Sequence, residues 1–222
     1  GGFRADNLPD DLEARLDQLA TGPEPGSDVA AAVALCRAGR WEEGVESLRA
    51  LCVARPDYPD YRLKLGAALY QLGRNDEALA ALDHALAVHP HYHTAAHLKA
   101  LVLADQGLFV DARAVLTAHP PLSGSATGNP HEALFSAYLS AVLALLGGCP
   151  DAALAALGDW DDLTTTFPRG ELVRAAAEDL LARPESAGRR LGALAEAWPG
   201  DADYQYLQAC HLLRAGDVAR ME

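Results

Sequence analysis

Lysine is almost missing from this chain: Lys64 and Lys99 are the only two in 222 residues. Lysine and arginine together number 18 against 31 aspartates and glutamates, a formal net charge of -13. Phosphate backbones are bound by clustered cations, so nucleic acid is not an expected partner. The acidity itself has two readings, a solvated outer face or the steering of a basic partner. Aromatic residues are only 6% of the chain, while half of it is hydrophobic. Alanine and leucine therefore dominate, as tightly stacked helices require. No stretch approaches the roughly 18 apolar residues of a membrane span, so membrane insertion is not expected. No secretory signal is visible either. Cys36, Cys52, Cys149 and Cys210 lack the short paired spacing of a zinc or redox motif and read as reduced thiols, which suits a cytoplasmic location. Glycine-rich phosphate loops, nucleophile elbows and isolated carboxylate pairs are also missing, so neither catalysis nor a cofactor is expected. The chain opens Gly1-Gly2-Phe3 and its sole methionine is Met221, which reads as a piece of a longer protein.

What is present is a beat. Glycines stand at Gly39, Gly73, Gly107, Gly148 and Gly216, with Ala182 keeping the place between the last two. The steps are 34, 34, 41, 34 and 34 residues, a repeat array interrupted once. A unit of this length is a helix pair that buries its apolar face only by stacking on its neighbours. In the clearest unit the pattern predicts a first helix over about 60–72, a turn at Gly73-Arg74-Asn75, and a second helix over about 76–89 stopped by Pro90. Gly73 suits a positive φ after the first helix, and Asp76 is the expected cap of the second.

Other positions keep the same time. The first helix always carries a small residue at Ala32, Gly66, Ala100, Ala141, Ala175 and Ala209, and the second at Gly44, Ala78, Ala112, Ala153 and Ala187. Four residues on, Leu48, Leu82, Leu116, Leu157 and Leu191 follow without exception, one turn along the same face. Small residues at both sites let the helices approach, and the leucines are the expected core between layers.

This pattern resembles the tetratricopeptide repeat, which pairs Leu-Gly in one helix with Ala and a large apolar residue in the next before a closing Pro. Residues 59–92 carry it best, in Leu65-Gly66, Leu69, Gly73, Ala78, Leu82, Ala85 and Pro90, with Tyr61-Arg62 where the family has tryptophan. The resemblance implies an all-α, right-handed superhelical solenoid of helix-turn-helix repeats. Repeats one to three fall in 25–118, an irregular insertion in 119–133, repeats four and five in 134–201, and a final helix and tail in 202–222. It also implies a concave groove lined by the first helix of each pair. Carried over by register, the candidate partner-binding residues are Leu63, Tyr70, Gln71, His97, Leu101, Tyr138, Val142, Leu145, Leu146 and Tyr206. Members that clamp a peptide carboxylate carry cations in this wall, where this chain has Leu63, Ala67 and Leu101. The expected partner is a protein or peptide segment, apolar or amphipathic, docked by a non-enzymatic scaffold. Self-assembly into a homo-oligomer through stacked terminal repeats, or a regulatory repeat domain attached to an enzyme, is the alternative.

The pattern breaks in two places. His119-Pro120-Pro121 and the following Leu122 to Pro130 are loop chemistry, and the seven-residue slip lies there, either a tolerated insertion or a hinge. Gly158 to Pro168 ends the fourth second helix early and carries Trp160, either core filler or a partner contact. Ahead of the array, Asn7 to Ala20 reads as a separate amphipathic helix (residues 1–24 forming a cap or linker). Asp10 and Glu13 stand there at capping-box spacing, and Leu12, Leu16 and Leu19 form one stripe. His93 and His97 share i,i+4 spacing, but no third ligand is in view and no metal is expected.

Overall fold

The computed structural model describes residues 27–120, 130–158, 168–199 and 201–215. The helix expected over 7–20, most of the slip at 121–129 and the Trp160 loop lie outside the described residues. Those described form eleven helices and no strand. In chain order they are α1 (Ser27–Arg37), α2 (Trp41–Ala54), α3 (Pro59–Gln71), α4 (Asn75–Val88), α5 (His93–Asp105) and α6 (Phe109–Ala118). After the slip come α7 (Pro130–Leu146), α8 (Pro150–Leu157), α9 (Pro168–Leu180), α10 (Pro184–Ala197) and α11 (Ala202–Ala215). The contacts divide the chain into two units, Gly1–Gly128 and Asn129–Glu222. In the front unit each odd-numbered helix packs on its even partner, and α2 and α4 pack on the next pair. In the rear unit α7 pairs with α8 and α9 with α10, while α8 packs on α9 and α10 on α11. No helix among the described residues is long and apolar enough to cross a membrane.

The glycine beat is a beat of left-handed turns. Gly39, Gly73, Gly107 and Gly148 have φ of 75, 71, 77 and 71 degrees, and Ala182 takes the same role at φ 56. At each turn the next residue's N–H reaches back to the carbonyl five residues earlier, as in Arg74 to Leu69 at 2.9 Å and Arg183 to Glu178 at 2.9 Å. These bonds satisfy carbonyls that the helix end would otherwise orphan. Ala182 makes the same turn with a Cβ in the unfavourable region, so its neighbours must hold it there.

One detail of the expected unit is corrected. The second helix starts at Asn75, and Arg74, not Asp76, occupies the cap position, without a side-chain capping bond. Its guanidinium instead grips Glu77, three residues on, at 2.7 and 2.8 Å. Asp76 stays in the first turn, where its charge still favours the helix N-terminus.

The small sites and leucines do what their spacing requires. Ala32, Ala100, Ala141 and Ala175 are buried on the inner helices, as are Ala78, Ala112, Ala153 and Ala187 on the outer ones. Leu48, Leu82, Leu116, Leu157 and Leu191 are buried beside them. A Cβ on Gly44 would stand 2.4 Å from the Cys36 Sγ and 3.3 Å from the Ala32 carbonyl, so glycine is what admits Cys36 there. The helices also stop where loop chemistry begins, α6 at Ala118 and α8 at Leu157.

All four cysteines are free. Burial pushes the Cys36 and Cys52 thiols up from their ordinary range, only partly offset by a backbone hydrogen bond at Cys36 and by the Arg62 charge at Cys52. Thiolate is the reactive form, so Cys149, which is exposed, should label rapidly with maleimide in the native state. Cys36 and Cys52 should label only on unfolding, and peptide mapping of a labelling time course checks both.

Candidate functional site

The front five of the residues read as the groove wall sit on α3 and α5. Leu63, His97 and Leu101 are buried, with 4%, 2% and 1% of their surface exposed. Tyr70 is half-buried and Gln71 exposed. The rear five belong to the other unit. Tyr138 and Val142 on α7 are buried, Leu145 and Leu146 half-buried, and Tyr206 on α11 is 70% exposed. Phe135 lies beside Tyr138, ring centroids 6.5 Å apart. In both strips the residues toward the start of the inner helix are buried and those toward its end more open, and Tyr206 on α11 is exposed.

The rear unit holds a set of buried ion pairs. On α9, Glu171 and Glu178 are buried at registers where earlier repeats carry Ala96 and Ala137, and Leu103 and Ala144. Arg190 of α10 reaches across to both, with Nη1 to Glu171 at 2.7 Å and Nε to the Glu178 oxygens at 3.0 and 3.1 Å. Burial lowers the Arg190 pKa, and the hydrogen bonds and charges of Glu171 and then Glu178 more than reverse that, leaving it above its ordinary value. Arg174 holds the other Glu171 oxygen at 3.1 Å and donates to the Leu157 and Gly158 carbonyls at the end of α8. This network ties three helices together at the point where α8 stops short.

Further along, His211 of α11 is buried against α9 and α10, its Nδ1 2.9 Å from the Asp179 carboxylate. Earlier inner helices have Ala68, Val102, Leu143 and Ala177 at this register. Room for the imidazole comes from Gly188, where a Cβ would meet the His211 Nε2 at 3.0 Å. Beside this pair lies a cavity of about 180 Å³, lined mainly by Ala176, Leu180, Leu191 and Leu207 with Asp179 and His211 as its polar edge. A recess of about 530 Å³ lies between Gly188, Gly192, Gln208, His211 and Leu212. Leu180, at the rim of the smaller cavity, is 52% exposed.

Neither the ion network nor the His211–Asp179 pair was read from the sequence. A signal existed for Glu178 and His211, whose registers are apolar in the earlier repeats, but not for Glu171, whose register carries Arg62 in the second. The histidines around the junction of the second and third repeats differ in exposure. His84, His89 and His91 are exposed, His93 is half-buried and His97 buried. Among the described residues no three His, Cys, Asp or Glu side chains converge as a metal site.

A tetratricopeptide repeat family model matches residues 29–87 and again 63–130, the stretch whose turns, small sites and buried leucines are described above. The chain belongs to the tetratricopeptide repeat family. Tetratricopeptide repeat proteins are generally interaction modules and not enzymes, and the fold supports a protein–protein interaction scaffold. No curated protein matches the chain by sequence. Solved structures do match in fold. A tetratricopeptide repeat protein from Parabacteroides merdae is 19% identical, with a TM-score of 0.73 over 87% of this chain and 74% of the other. PilW, a type IV pilus biogenesis factor, is 15% identical, with a TM-score of 0.68 over 87% of each chain. YrrB, a tetratricopeptide repeat protein with an unusual peptide-binding site, is 14% identical, with a TM-score of 0.60 over 80% of this chain and 88% of the other.

Proposed function

We propose that this tetratricopeptide repeat chain docks an apolar or amphipathic segment of a protein partner against its inner helices. The observation that carries the reading is the rear opening, a cavity of about 180 Å³ between α9, α10 and α11 with Leu180 exposed at its edge, and a further large exposed side chain, Tyr206, on α11. Large apolar side chains at the edge of a preformed recess are the usual anchors of helix-in-groove binding. The His211–Asp179 pair adds one polar point at its edge, enough to orient a segment whose other contacts are apolar. The peptide-binding site named for YrrB supports the same kind of partner.

The test is to select binding segments from a display library of amphipathic peptides, then measure the affinity of a retained peptide for point variants of the chain. Truncating a hot-spot aromatic costs about 2 kcal/mol, roughly thirtyfold in Kd. Tyr206→Ala and Leu180→Ala should each weaken binding toward that amount with helicity unchanged. Unaltered affinity in both variants would place the partner elsewhere.

A further inference from the structure

His211 divides two spaces in the rear unit. It borders the cavity of about 180 Å³ between α9, α10 and α11, and also the recess of about 530 Å³ between α10 and α11. Its Nδ1 lies 2.9 Å from the Asp179 carboxylate, which has no proton to give, so Nδ1 carries the hydrogen and donates. In the neutral ring Nε2 is then the lone-pair nitrogen. That atom points at Gly188, where a Cβ would stand 3.0 Å away, and no group among the described residues hydrogen-bonds to it. Yet the residue is nine-tenths buried, with 9% of its surface exposed. Gly192, one turn further along α10, differs: a Cβ there would meet nothing within 4 Å. Earlier outer helices carry Val45, Leu79, Arg113 and Leu154 at the Gly188 register, and Arg49, Asp83, Thr117 and Gly158 at that of Gly192. Glycine inside a helix is disfavoured. His211 accounts for Gly188, whereas nothing in the described chain fills the space beside Gly192.

We infer that the recess between α10 and α11 takes an aromatic side chain with a hydrogen-bond donor, a tyrosine or tryptophan of the docked partner, and that His211 Nε2 accepts the hydrogen bond. This rests on the docking reading and deepens it by naming the residue that the partner presents. Charge complementarity fixes the donor. The Asp179 carboxylate behind the ring makes Nε2 the electron-rich end of the pair, so the group that meets it must bring a hydrogen. Size and polarity fix the rest. A volume of about 530 Å³ lies in the range of ligand sites, and Leu191 and Leu212 give it apolar walls with Gln208 and His211 as the polar ones. A flat ring lies close against a helix backbone only where that backbone is bare, as it is at Gly188 and Gly192. A serine or threonine would leave the leucine walls uncovered. A lysine would bury its charge with no carboxylate on the lining to pair it. A phenol or indole meets both demands, burying a ring and donating from its polar edge.

The test uses the full chain and needs no partner, because the two ring systems themselves serve as probes. Phenol and indole, titrated at millimolar concentration, should move the His211 Nε2 NMR resonance and the Gly192 amide. Anisole and N-methylindole keep the ring and lack the donor, and should bind about tenfold more weakly, the worth of one hydrogen bond. Gly192→Leu fills the recess and adds helix propensity. It should abolish the phenol shifts while raising the melting temperature, so that lost folding is not the cause. A hydrogen on Nε2 of the neutral ring would overturn the inference. So would equal binding of phenol and anisole, silence at His211 and Gly192, or phenol shifts that survive Gly192→Leu. Peptide affinity in Tyr206→Ala and Leu180→Ala is read separately. A peptide that binds through those residues while phenol leaves His211 unmoved sinks this inference alone and leaves the docking reading intact.

Discussion

Glu171→Ala is expected to destabilise the rear unit by about 3 kcal/mol, seen as a lower urea midpoint at constant m-value. Glu171 keeps only 4% of its side chain exposed and neutralises two cations at once, Arg190 at 2.7 Å and Arg174 at 3.1 Å. Removing it takes a carboxylate from both. Arg174 is 11% exposed and has carbonyls to bond, whereas Arg190 is 33% exposed and keeps Glu178. Those alternatives hold the loss at the low end of the 3–5 kcal/mol typical of a broken buried pair. Glu171→Gln retains the shape and one acceptor oxygen, and should cost about half as much because hydrogen bonds to charged groups are worth about 1.5–3 kcal/mol. Replacing Glu171, Glu178, Arg174 and Arg190 together with leucine and methionine should recover most of the loss, since all four charges of the network are then removed. A change below about 1 kcal/mol for Glu171→Ala would mean the network behaves as a surface ion pair.

Leu82→Ala should cost the front unit about 3–5 kcal/mol. Leu82 is wholly buried and fills the niche that Gly66 leaves: a Cβ on Gly66 would stand 2.9 Å from Leu82 Cγ and 3.0 Å from Cδ2. Truncating the leucine opposite a glycine leaves a void that the glycine has no side chain to fill. The pairing also predicts a reversal of sign. Gly66→Ala alone gains helix propensity of about 1 kcal/mol but drives a methyl into Leu82, and overpacking of that kind costs about 1–3 kcal/mol. In the Leu82→Ala background the same methyl enters empty space and should stabilise. A double-mutant cycle by urea unfolding reads the coupling, and additive effects would show that the two residues do not share the niche.

The steric skeleton of the fold was legible because it depends on neighbours in sequence. A turn at Gly73 needs only its own φ and the bond from Arg74 back to Leu69. Likewise Leu82 lies four residues from Ala78, so their common face follows from helical geometry alone. The cap at the start of α4 was misread for a related reason. Asp76 scores well as a local capping residue, but the chain enters the helix one residue earlier, and Arg74 reaches forward to Glu77.

The candidate site was legible only as a set of registers. Tyr206 and Leu101 occupy corresponding faces of different inner helices, yet one is open and the other closed. Register says which face a residue takes and nothing about what lies over that face. Glu171 meets Arg190 across 19 positions, and Asp179 meets His211 across 32. Taken one by one, those side chains read as ordinary surface charges on amphipathic helices.

By itself the sequence determined the repeat length, the left-handed turns, and the small-against-large pairing that lets each helix pair close, because every one of these is local sterics within a single unit. Only the tertiary structure decided which charges are buried and paired, and which inner-helix residues are buried and which exposed. Those outcomes depend on groups brought together from separate repeats, where burial and charge compensation, not local propensity, choose the arrangement.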